Sequence, residues 1–461
     1  MLKHATKSFT STLASIKSST MKYYILTIFI LLSIFSCNQK NGEQDIDDAA
    51  FYMPAEWETH DAIWLGWRER KKTQFHQGIA ELIKTLTPTV KVKVAVSSDS
   101  LLQVAKKYLS HQKADSTRIE FYVIPGDQYW IRDYGAAFLV NKKGELGVAD
   151  FGFDQYGLPE FLRLMHKGNV DSIRKYSELW INPETAKVGS LMAKVENAVI
   201  KKTSIVHEGG NIEVNGKGTL IICESAVINR NPNRTKEEIE KEFERVLGVS
   251  NIIWLKQSLA DDPNGFYRRI ADNYVGGGVQ HSDEFVRFSD PNTILLAWVD
   301  EDEKDLNPIN KINYERMSEN LRILERSTDQ DGKPFTIVKI PLPELITKKI
   351  IATEDIDFSE NSLDLSPRWF IPSERPQEGD TLLRIPAASY MNYLVTNGLV
   401  ILPTYTKMGT SKKREKEVEQ IFKKQFPDRK IVFLDFMPQN WDGGGIHCST
   451  QQQPKTDANK K

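Results

Sequence analysis

The chain has 461 residues, with 61 Lys and Arg against 62 Asp and Glu, 40% apolar residues and 27% charged residues. This length allows about three small domains or one large one, and the apolar content excludes a wholly disordered chain. The near-zero net charge gives no reason to expect nucleic acid as a partner. Only three cysteines are present, Cys37, Cys223 and Cys448, so no disulfide framework holds the protein together.

The N-terminus has the features of a bacterial export signal. The apolar run at 23–35 makes only about 20 Å of helix, which is too short for the ~30 Å hydrocarbon core of a bilayer. The tetrapeptide Ile-Phe-Ser-Cys that ends at Cys37 resembles a lipobox, in which the cysteine is acylated and becomes the mature N-terminus. We therefore predict a leader and signal peptide at 1–36 and a polar tether at 37–50.

These features predict a lipoprotein of the cell envelope, whose only attachment to the membrane is its lipid and whose folded domain lies outside the cytoplasm. The alternatives are an uncleaved N-terminal anchor with an incidental Cys37 and a cytoplasmic protein. Both Met1 and Met21 are possible starts of translation. The folded body is expected at 51–454, followed by a polar tail at 455–461.

Strand-like and helix-like segments alternate through the body, which predicts an α/β protein built from similar modules. The first predicted elements are a strand at 90–96, a helix at 101–109 and a strand at 119–124. Thr235 and Glu238 predict a capping box at the start of a helix that Gly248 ends, and a strand follows at 251–255. Helix and strand alternate again at 314–326, 335–340, 412–426 and 430–435.

Two further segments are interpreted from their composition. Residues 353–380 have weak periodicity and several prolines, which is typical of a long insertion or an active-site cover. Cys223 lies in the apolar run 219–228, which predicts a strand, and we expect this cysteine to pack in the core. No repeat can be read residue by residue.

Five short segments place polar residues or glycines beside strand-like runs, where packing alone does not require them. They are DQYWIRDYG (127–135), HEGGN (207–211), GGGVQHSDEFVRF (276–288), AASYMNY (387–393) and GGGIHCSTQQQP (443–454). Each has a simple structural explanation on its own, such as an Arg132–Asp133 ion pair, a Gly209-Gly210 hairpin turn, a core His281 or an inert buried Cys448. Together they supply a nucleophile, a base and several carboxylates.

This set of groups favours a positively charged substrate. A cysteine attacks as a thiolate, and its reference pKa of about 8.5 means that a cation, such as protonated His281 or the substrate, must assist at neutral pH. Three acidic candidates beside one Cys and one His exceed what a papain-like protease requires, because the amide it cleaves is neutral. Carboxylates suit a guanidinium group, whose planar N–H groups match their oxygens in bidentate fashion.

The motifs also stand in a familiar order. MPAEWE (53–58), WIRDYG (130–135), EGG (208–210), HSD (281–283) and GGGIHC (443–448) resemble the agmatine deiminase and bacterial (Porphyromonas-type) peptidylarginine deiminase family, over about residues 51–454. This resemblance implies the pentein fold, an α/β propeller of five ββαβ-type modules around a central, negatively charged tunnel.

The resemblance also implies a role for each site residue. Cys448 would be the nucleophile, His281 the general acid/base and Glu208 the carboxylate that orients His281. Asp133 and Asp283 would hold the guanidinium nitrogens. Trp130 and Asn392 are the remaining substrate-binding candidates, Trp130 in the tunnel lining and Asn392 near the nucleophile.

The chain departs from the family pattern at two positions. The family more often has Gly-His-Val-Asp where this chain has Gln-His-Ser-Asp at 280–283, and Pro where this chain has Ala136. Neither change removes a reacting group, so the resemblance implies the same chemistry, with a difference in substrate fit near Gln280. We interpret His447, beside the nucleophile, as structural, because consecutive residues of a strand point to opposite faces.

The implied reaction is hydrolytic deimination through a thiouronium intermediate on Cys448, with His281 as acid and then base. No metal or organic cofactor is expected, since metal-ligand spacings and phosphate-loop glycine patterns do not occur in a usable form. The expected substrate is agmatine, converted to N-carbamoylputrescine for putrescine biosynthesis. The alternatives are deimination of peptidyl, C-terminal or free arginine, transfer of the amidino group to an amine, and a lipid-anchored binding protein without catalysis.

Overall fold

The computed structural model describes residues 50–68, 73–356 and 362–456. Its first sheet contains three parallel strands. The alternating Val92, Val94 and Val96 pack against the buried apolar residues of two helices. This is the period-two pattern from which the second strand was predicted. The elements are β1 (His60–Trp67), α1 (Thr73–Leu86), β2 (Lys91–Val96), α2 (Asp99–His111) and β3 (Ile119–Val123).

The next two sheets share one order of elements, in which an antiparallel pair of strands is followed by helices and then by a third strand parallel to the second. The second sheet and its helices are α3 (Ile131–Tyr134), β4 (Ala137–Val140), β5 (Leu146–Gly152), α4 (Leu158–Met165), α5 (Val170–Trp180), α6 (Val188–Val195) and β6 (Val199–Val206). The third comprises β7 (Glu213–Val214), β8 (Thr219–Cys223), α7 (Glu224–Arg230), α8 (Lys236–Leu247) and β9 (Asn251–Leu255).

An additional sheet interrupts this series. Strands β10 (Phe266–Ala271) and β11 (Tyr274–Gly278) precede the fourth ββαβ sheet, which contains β12 (Val286–Asp290), β13 (Thr293–Trp298), α9 (Pro308–Arg326) and β14 (Thr336–Pro341). Strands β15 (Lys348–Ile351) and β16 (Thr381–Arg384) follow it and pair with the first two in the order β10-β11-β16-β15. The segment from residue 353 to residue 380 is thus the connection between β15 and β16.

The fifth ββαβ sheet consists of β17 (Leu394–Thr396), β18 (Leu399–Pro403), α10 (Lys412–Gln425) and β19 (Lys430–Leu434). After it come α11 (Met437–Asn440) and β20 (Thr450–Pro454). Strand β20 pairs antiparallel with β1, with Thr450 opposite Leu65. With β20 as its first strand, the first sheet also has an antiparallel pair followed by a helix and a parallel strand. The ββαβ order therefore occurs five times in the described part of the chain, and the α/β prediction is confirmed.

Helix α8 follows from its local sequence. The backbone N–H of Glu238 donates to Thr235 Oγ1 at 3.2 Å, and the Thr235 N–H donates to the Glu238 carboxylate at 2.9 Å. Gly248 ends the helix with φ 67°. Ile239, Phe243, Val246 and Leu247 form one buried face that packs against the sheet formed by β7, β8 and β9, so the predicted capping box and helix are confirmed.

Two predicted bounds are wrong. The run 219–228 is strand β8 only as far as Cys223, after which α7 begins. Both elements are largely buried, so their apolar residues do not show where the period changes. The helix predicted at 314–326 begins earlier, at Pro308, because the Asn307 side chain accepts a hydrogen bond from Asn310 N at 2.8 Å and caps it. The other predicted elements agree within two residues.

The connection between β15 and β16 packs on the additional sheet, where Leu365 and Phe370 join a buried cluster with Val275. The predicted leader at 1–36, with Cys37 and the tether up to residue 49, lies outside the described residues, as do residues 457–461 of the predicted tail. Within the described ranges, no helix combines the length and apolar character needed to cross a bilayer.

Candidate active site

Each of the five ββαβ sheets is preceded by a short segment that carries a predicted site residue. Asp133 lies in α3 before β4, and Glu208 precedes β7. The third segment, before β12, carries both His281 and Asp283. Asn392 and Cys448 come directly before β17 and β20. All these residues therefore lie at equivalent positions, before the first strand of a ββαβ sheet. The contacts described below show that they lie around one cavity.

Cys448 is almost fully buried, with 6% of its surface exposed. Asn392 Nδ2 donates a hydrogen bond to Cys448 Sγ at 3.0 Å, and Asp283 Oδ2 lies 3.6 Å from the same sulfur. Burial and the carboxyl groups of Asp283, Glu284 and Asp133 raise the pKa of this thiol well above its usual value. The sulfur is therefore a thiol at neutral pH until a positive charge enters the cavity.

His281 lies between two carboxylates, with Nδ1 3.4 Å from Asp133 Oδ1 and Nε2 3.5 Å from Glu208 Oε2. Burial opposes protonation of this ring, but Asp133 and Glu208 outweigh it and raise the pKa of His281 to about 9. Glu208 is itself buried and accepts from Arg230 Nε at 2.9 Å. Although burial opposes its ionisation, Arg230 and His281 lower the pKa of Glu208 to about 2. At neutral pH the pair is an imidazolium and a carboxylate.

Asp133 and Asp283 face the cavity from different segments. Asp133 accepts from Gly210 N at 3.0 Å and from the Tyr156 hydroxyl at 2.9 Å, and burial raises its pKa to about 6. Asp283 Oδ2 lies 2.7 Å from His447 Nδ1, whereas its buried Oδ1 has no hydrogen-bond partner among the described residues. A ligand or a water molecule that donates a hydrogen bond would satisfy this buried acceptor.

Glycines allow these groups to come so close. A Cβ at Gly210 would lie 2.6 Å from His281 Nδ1 and 2.7 Å from Asp133 Oδ1. A Cβ at Gly445 would lie 2.5 Å from Asn392 Oδ1, and one at Gly444 2.8 Å from the Trp130 ring. The glycines of the HEGGN and GGGIHC motifs are therefore required by contact with the site, and Gly209-Gly210 is not a hairpin turn but part of the 3₁₀ turn at 209–211.

His447 makes contacts that the sequence interpretation missed. It lies in a turn before β20, so the alternation of a strand does not apply to it. Its Nδ1 faces Asp283, and its Nε2 lies 2.8 Å from Glu56 Oε1. A neutral imidazole has one N–H and donates to only one of these two carboxyl groups. Burial and the charges of Arg132 and Arg287 lower the pKa of His447, which disfavours a second proton on the ring. His447 thus connects the cavity-lining Asp283 to a buried network.

Glu56, from the MPAEWE motif, is the centre of that network. Its carboxylate accepts from Arg132 Nη1 at 3.0 Å and from the guanidinium group of Arg287. Arg287 Nε also donates to Glu213 at 2.7 Å. Arg132 therefore pairs with Glu56 and not with its neighbour Asp133. The sequence signal for Glu56 was its motif, but its partner His447 is 391 residues away.

The cavity has a volume of about 170 Å³ and is lined by predicted and unpredicted residues. Trp130, Asp133, His281, Asp283 and Cys448 are the predicted ones, while Glu208 and Asn392 stand behind His281 and Cys448. Tyr156 and Glu284 also line it and were not predicted. Cys37, the predicted lipidation site, lies outside the described residues.

The cavity adjoins a larger vestibule of about 570 Å³, and Trp130, Tyr156, Phe266 and Tyr267 line both. Most of the vestibule wall is aromatic. Its two charged lining residues, Arg68 and Asp127, pair with each other at 3.2 Å. Trp369, from the predicted insertion 353–380, contributes to the wall, so part of that insertion borders the access to the site.

Two other sequence interpretations concern residues beside the site. Cys223 is fully buried in the core, and burial raises its pKa to about 12, which makes it an inert thiol. Gln280, where the family pattern differs, is also buried, and its Oε1 accepts from Ser225 Oγ at 2.8 Å and from Ser258 N at 3.2 Å. It supports the segment that carries His281, and the cavity wall does not include it.

The chain is similar to known proteins along most of its length. Residues 52–454 match the Porphyromonas-type peptidyl-arginine deiminase family. The chain is 32% identical to the agmatine deiminase of Pseudomonas syringae pv. tomato and 31% identical to that of Pseudomonas fluorescens, each match covering 88% of this chain and 95% of the relative.

The structure is also similar to that of the agmatine deiminase of Enterococcus faecalis, with a TM-score of 0.65 and 25% identity over 88% of this chain and 96% of that one. This similarity confirms the predicted pentein fold class. The sequence resemblance is likewise confirmed: the chain belongs to the Porphyromonas-type peptidyl-arginine deiminase family.

Proposed function

We propose that this protein is a hydrolase that converts agmatine and water to N-carbamoylputrescine and ammonia. One observation carries the proposal: Cys448, His281 and the carboxylates of Asp133 and Asp283 line the same small cavity. The agmatine deiminases to which the chain is about 30% identical along most of its length support this choice of substrate.

The two aspartates bind the guanidinium group. The buried Asp283 Oδ1 and the carboxylate of Asp133 accept its N–H groups and hold it flat beside Cys448 Sγ. The substrate also brings the positive charge that the site lacks at the sulfur. Its charge lowers the pKa of the thiol, which then releases its proton to solvent and becomes the attacking thiolate.

The first chemical step forms the Sγ–C bond to the central guanidinium carbon. His281, protonated at neutral pH, gives its proton to one NH₂ group, and the C–N bond breaks with release of ammonia. The product of this step is an S-alkylthiouronium on Cys448 and a neutral His281. Glu208 and Asp133 hold the imidazole in place throughout.

The second step is hydrolysis of this adduct. Neutral His281 takes a proton from water as the water oxygen bonds to the thiouronium carbon. The C–S bond then breaks, the hydroxyl proton passes to solvent, and the ureido product leaves with the thiolate and imidazolium restored. No metal or redox group takes part in either step.

Arginyl peptides are a second candidate substrate. The aromatic vestibule exceeds the inner cavity in volume, about 570 Å³ against 170 Å³, and so offers room for more than an alkylamine chain. A protein exported through its N-terminal signal would also meet peptides outside the cytoplasm. We propose this location, with Cys37 as the lipidated residue, on the sequence pattern at 23–37.

The deciding experiment measures ammonia release from agmatine, free arginine and an arginyl peptide at equal concentrations. We expect release from agmatine, with a ureido product formed without an added amine. A requirement for an amine acceptor would indicate an amidinotransferase. Release from the peptide alone would indicate a peptidylarginine deiminase instead. No release from any of the three substrates would favour the alternative of a lipid-anchored binding protein without catalysis.

A further inference from the structure

Glu284 lines the catalytic cavity, yet the steps above give it no task. It is 4% exposed, and one of its carboxyl oxygens lies within 4.8 Å of Cys448 Sγ. An ionised carboxylate at this position would oppose formation of the thiolate. The effect of Glu284 on the Cys448 thiolate therefore depends on the hydrogen bonds that Glu284 makes and on its charge.

The orientation of the Asn392 carboxamide is fixed by its neighbours. Asn392 Oδ1 accepts from His447 N at 2.9 Å and from Cys448 N at 3.4 Å. Because backbone N–H groups only donate, the oxygen must face them and Nδ2 must face the other side. There Nδ2 donates to Cys448 Sγ at 3.0 Å and to Glu284 Oε1 at 2.7 Å.

We propose that Glu284 is a positioning residue, which holds the Asn392 carboxamide so that one of its N–H groups stabilises the Cys448 thiolate. The inference rests on the proposed function of this site, because it assigns Glu284 a part in forming the same nucleophile. Asn392 touches the reacting sulfur, and Glu284 acts through Asn392.

The electrostatic environment is consistent with this role. Burial and the neighbouring acids Asp283, Asp262 and Asp261 raise the pKa of Glu284 well above its usual value. A neutral carboxyl group still accepts a hydrogen bond through its carbonyl oxygen and adds no negative charge beside the sulfur. Glu284 can thus anchor Asn392 without repelling the thiolate.

The test measures the rate at which iodoacetamide alkylates Cys448 at pH 7.5 in the full-length protein, followed by mass spectrometry of the Cys448 peptide. This reaction needs the thiolate but no guanidine, so it separates the inference from the proposed function. We expect Glu284→Ala to slow alkylation about fivefold or more, the scale of one hydrogen bond. Glu284→Gln keeps an acceptor for Asn392 Nδ2 and should recover most of the lost rate.

The double variant Glu284→Ala/Asn392→Ala decides whether the effect passes through Asn392. It should alkylate no more slowly than Asn392→Ala alone. The inference would be overturned if the rate loss of the double variant equalled the product of the losses of the two single variants. Faster alkylation in Glu284→Ala would also overturn it, because it would show that Glu284 repels the thiolate through its charge. If the alanine variant does not fold, as judged by circular dichroism, Glu284→Leu fills the volume without an acceptor and replaces it in both comparisons.

Discussion

Asp283 Oδ2 lies 2.7 Å from Nδ1 of His447, the residue immediately before Cys448. The Asp283 carboxylate, which lines the cavity, is therefore held by the same turn that carries Cys448. The other nitrogen of His447 contacts Glu56, which also accepts hydrogen bonds from Arg132 and Arg287. A buried network thus fixes the position of the Asp283 carboxylate relative to the turn that carries Cys448.

His447→Gln should lower kcat/KM about ten- to a hundredfold, because Asp283 loses a charge-assisted hydrogen bond worth roughly 1.5–3 kcal/mol. Steady-state kinetics with agmatine measure the effect. His111→Gln, at an exposed histidine in the last turn of α2, is the matched control and should leave the kinetics unchanged. A His447 variant within twofold of wild type would show that Asp283 does not depend on this contact.

Cys448→Ser should abolish turnover while leaving the fold intact, since a serine hydroxyl has no comparable ionised form. A 2-haloacetamidine, which presents an amidinium group, should label the wild-type protein at Cys448. Mass spectrometry locates the label. Cys223→Ala is the control and should keep most of the activity, because Cys223 lies in the core with a pKa raised to about 12 by burial. Labelling at Cys223 would contradict the mechanism.

Asp133→Asn and Asp283→Asn should each reduce kcat/KM by at least about ten- to a hundredfold. Each amide keeps the shape of the side chain but replaces a charged acceptor of a substrate N–H by a neutral one. Asp99→Asn, on the exposed start of α2, tests the same substitution away from the cavity. If either site variant turned over agmatine at half the wild-type rate or better, that aspartate would not hold the guanidinium group.

The pH dependence should show release of a proton on substrate binding. At neutral pH the free site holds a thiol and an imidazolium, because the pKa of Cys448 is raised and that of His281 is raised to about 9. The reacting complex needs a thiolate and an imidazolium, one proton fewer. We therefore expect kcat/KM to rise with pH up to about 9 and to level off there, with a steeper fall below about 6, where burial makes Asp133 protonate.

Glu208→Gln provides the check on this assignment. The carboxylate of Glu208 helps to raise the pKa of His281, so its removal should move the levelling point of kcat/KM to lower pH. Profiles of kcat/KM measured for both proteins between pH 5 and 10 give the comparison. A flat wild-type profile between pH 6 and 9 would instead mean that the thiolate already exists in the free enzyme.

Local sequence patterns predicted the elements whose stabilising contacts are local. Thr235, Glu238 and Gly248 mark both ends of α8, and the side chains that it buries recur at helical spacing. The prediction of a strand over the whole run 219–228 was wrong because a buried strand and a buried helix carry the same apolar residues. The fivefold recurrence of ββαβ sheets could not be read from the residues, since the segments that precede the sheets share a position but not a sequence.

The sequence likewise reveals some residues of the site and not others. Cys448, His281 and the two aspartates carry chemistry that distinctive residue types reveal. Glu284 and His447 act through contacts with residues distant in the chain, such as Asn392 and Glu56, 108 and 391 residues away. Arg230 contacts Glu208 across 22 residues and lies at the end of a helix whose earlier residues, 224–228, were predicted as part of a strand. Only the assembled fold identifies these partners.

The last prediction concerns the N-terminus. If Cys37 is acylated, the mature protein begins there and several acyl chains on one cysteine hold it at a membrane, because a single chain gives only marginal binding. Cys37→Ser should then move the protein from the membrane fraction to the soluble fraction, or leave it unprocessed. The kcat/KM of the purified protein should not change, since the family match begins only at residue 52. Cys223→Ser serves as the matched cysteine control and should stay in the membrane fraction.

Mass spectrometry of the mature N-terminus gives the decisive measurement. A diacyl or triacyl group on an N-terminal Cys37 would establish the anchor, whereas an unmodified chain that starts at Met1 or Met21 in the cytosol would exclude it. That second outcome would also bear on the substrate, because an exported enzyme meets peptides and a cytosolic one meets agmatine. The vestibule and the match to the Porphyromonas-type peptidyl-arginine deiminase family would then be the remaining reasons to test arginyl peptides, and agmatine would be the substrate to pursue first.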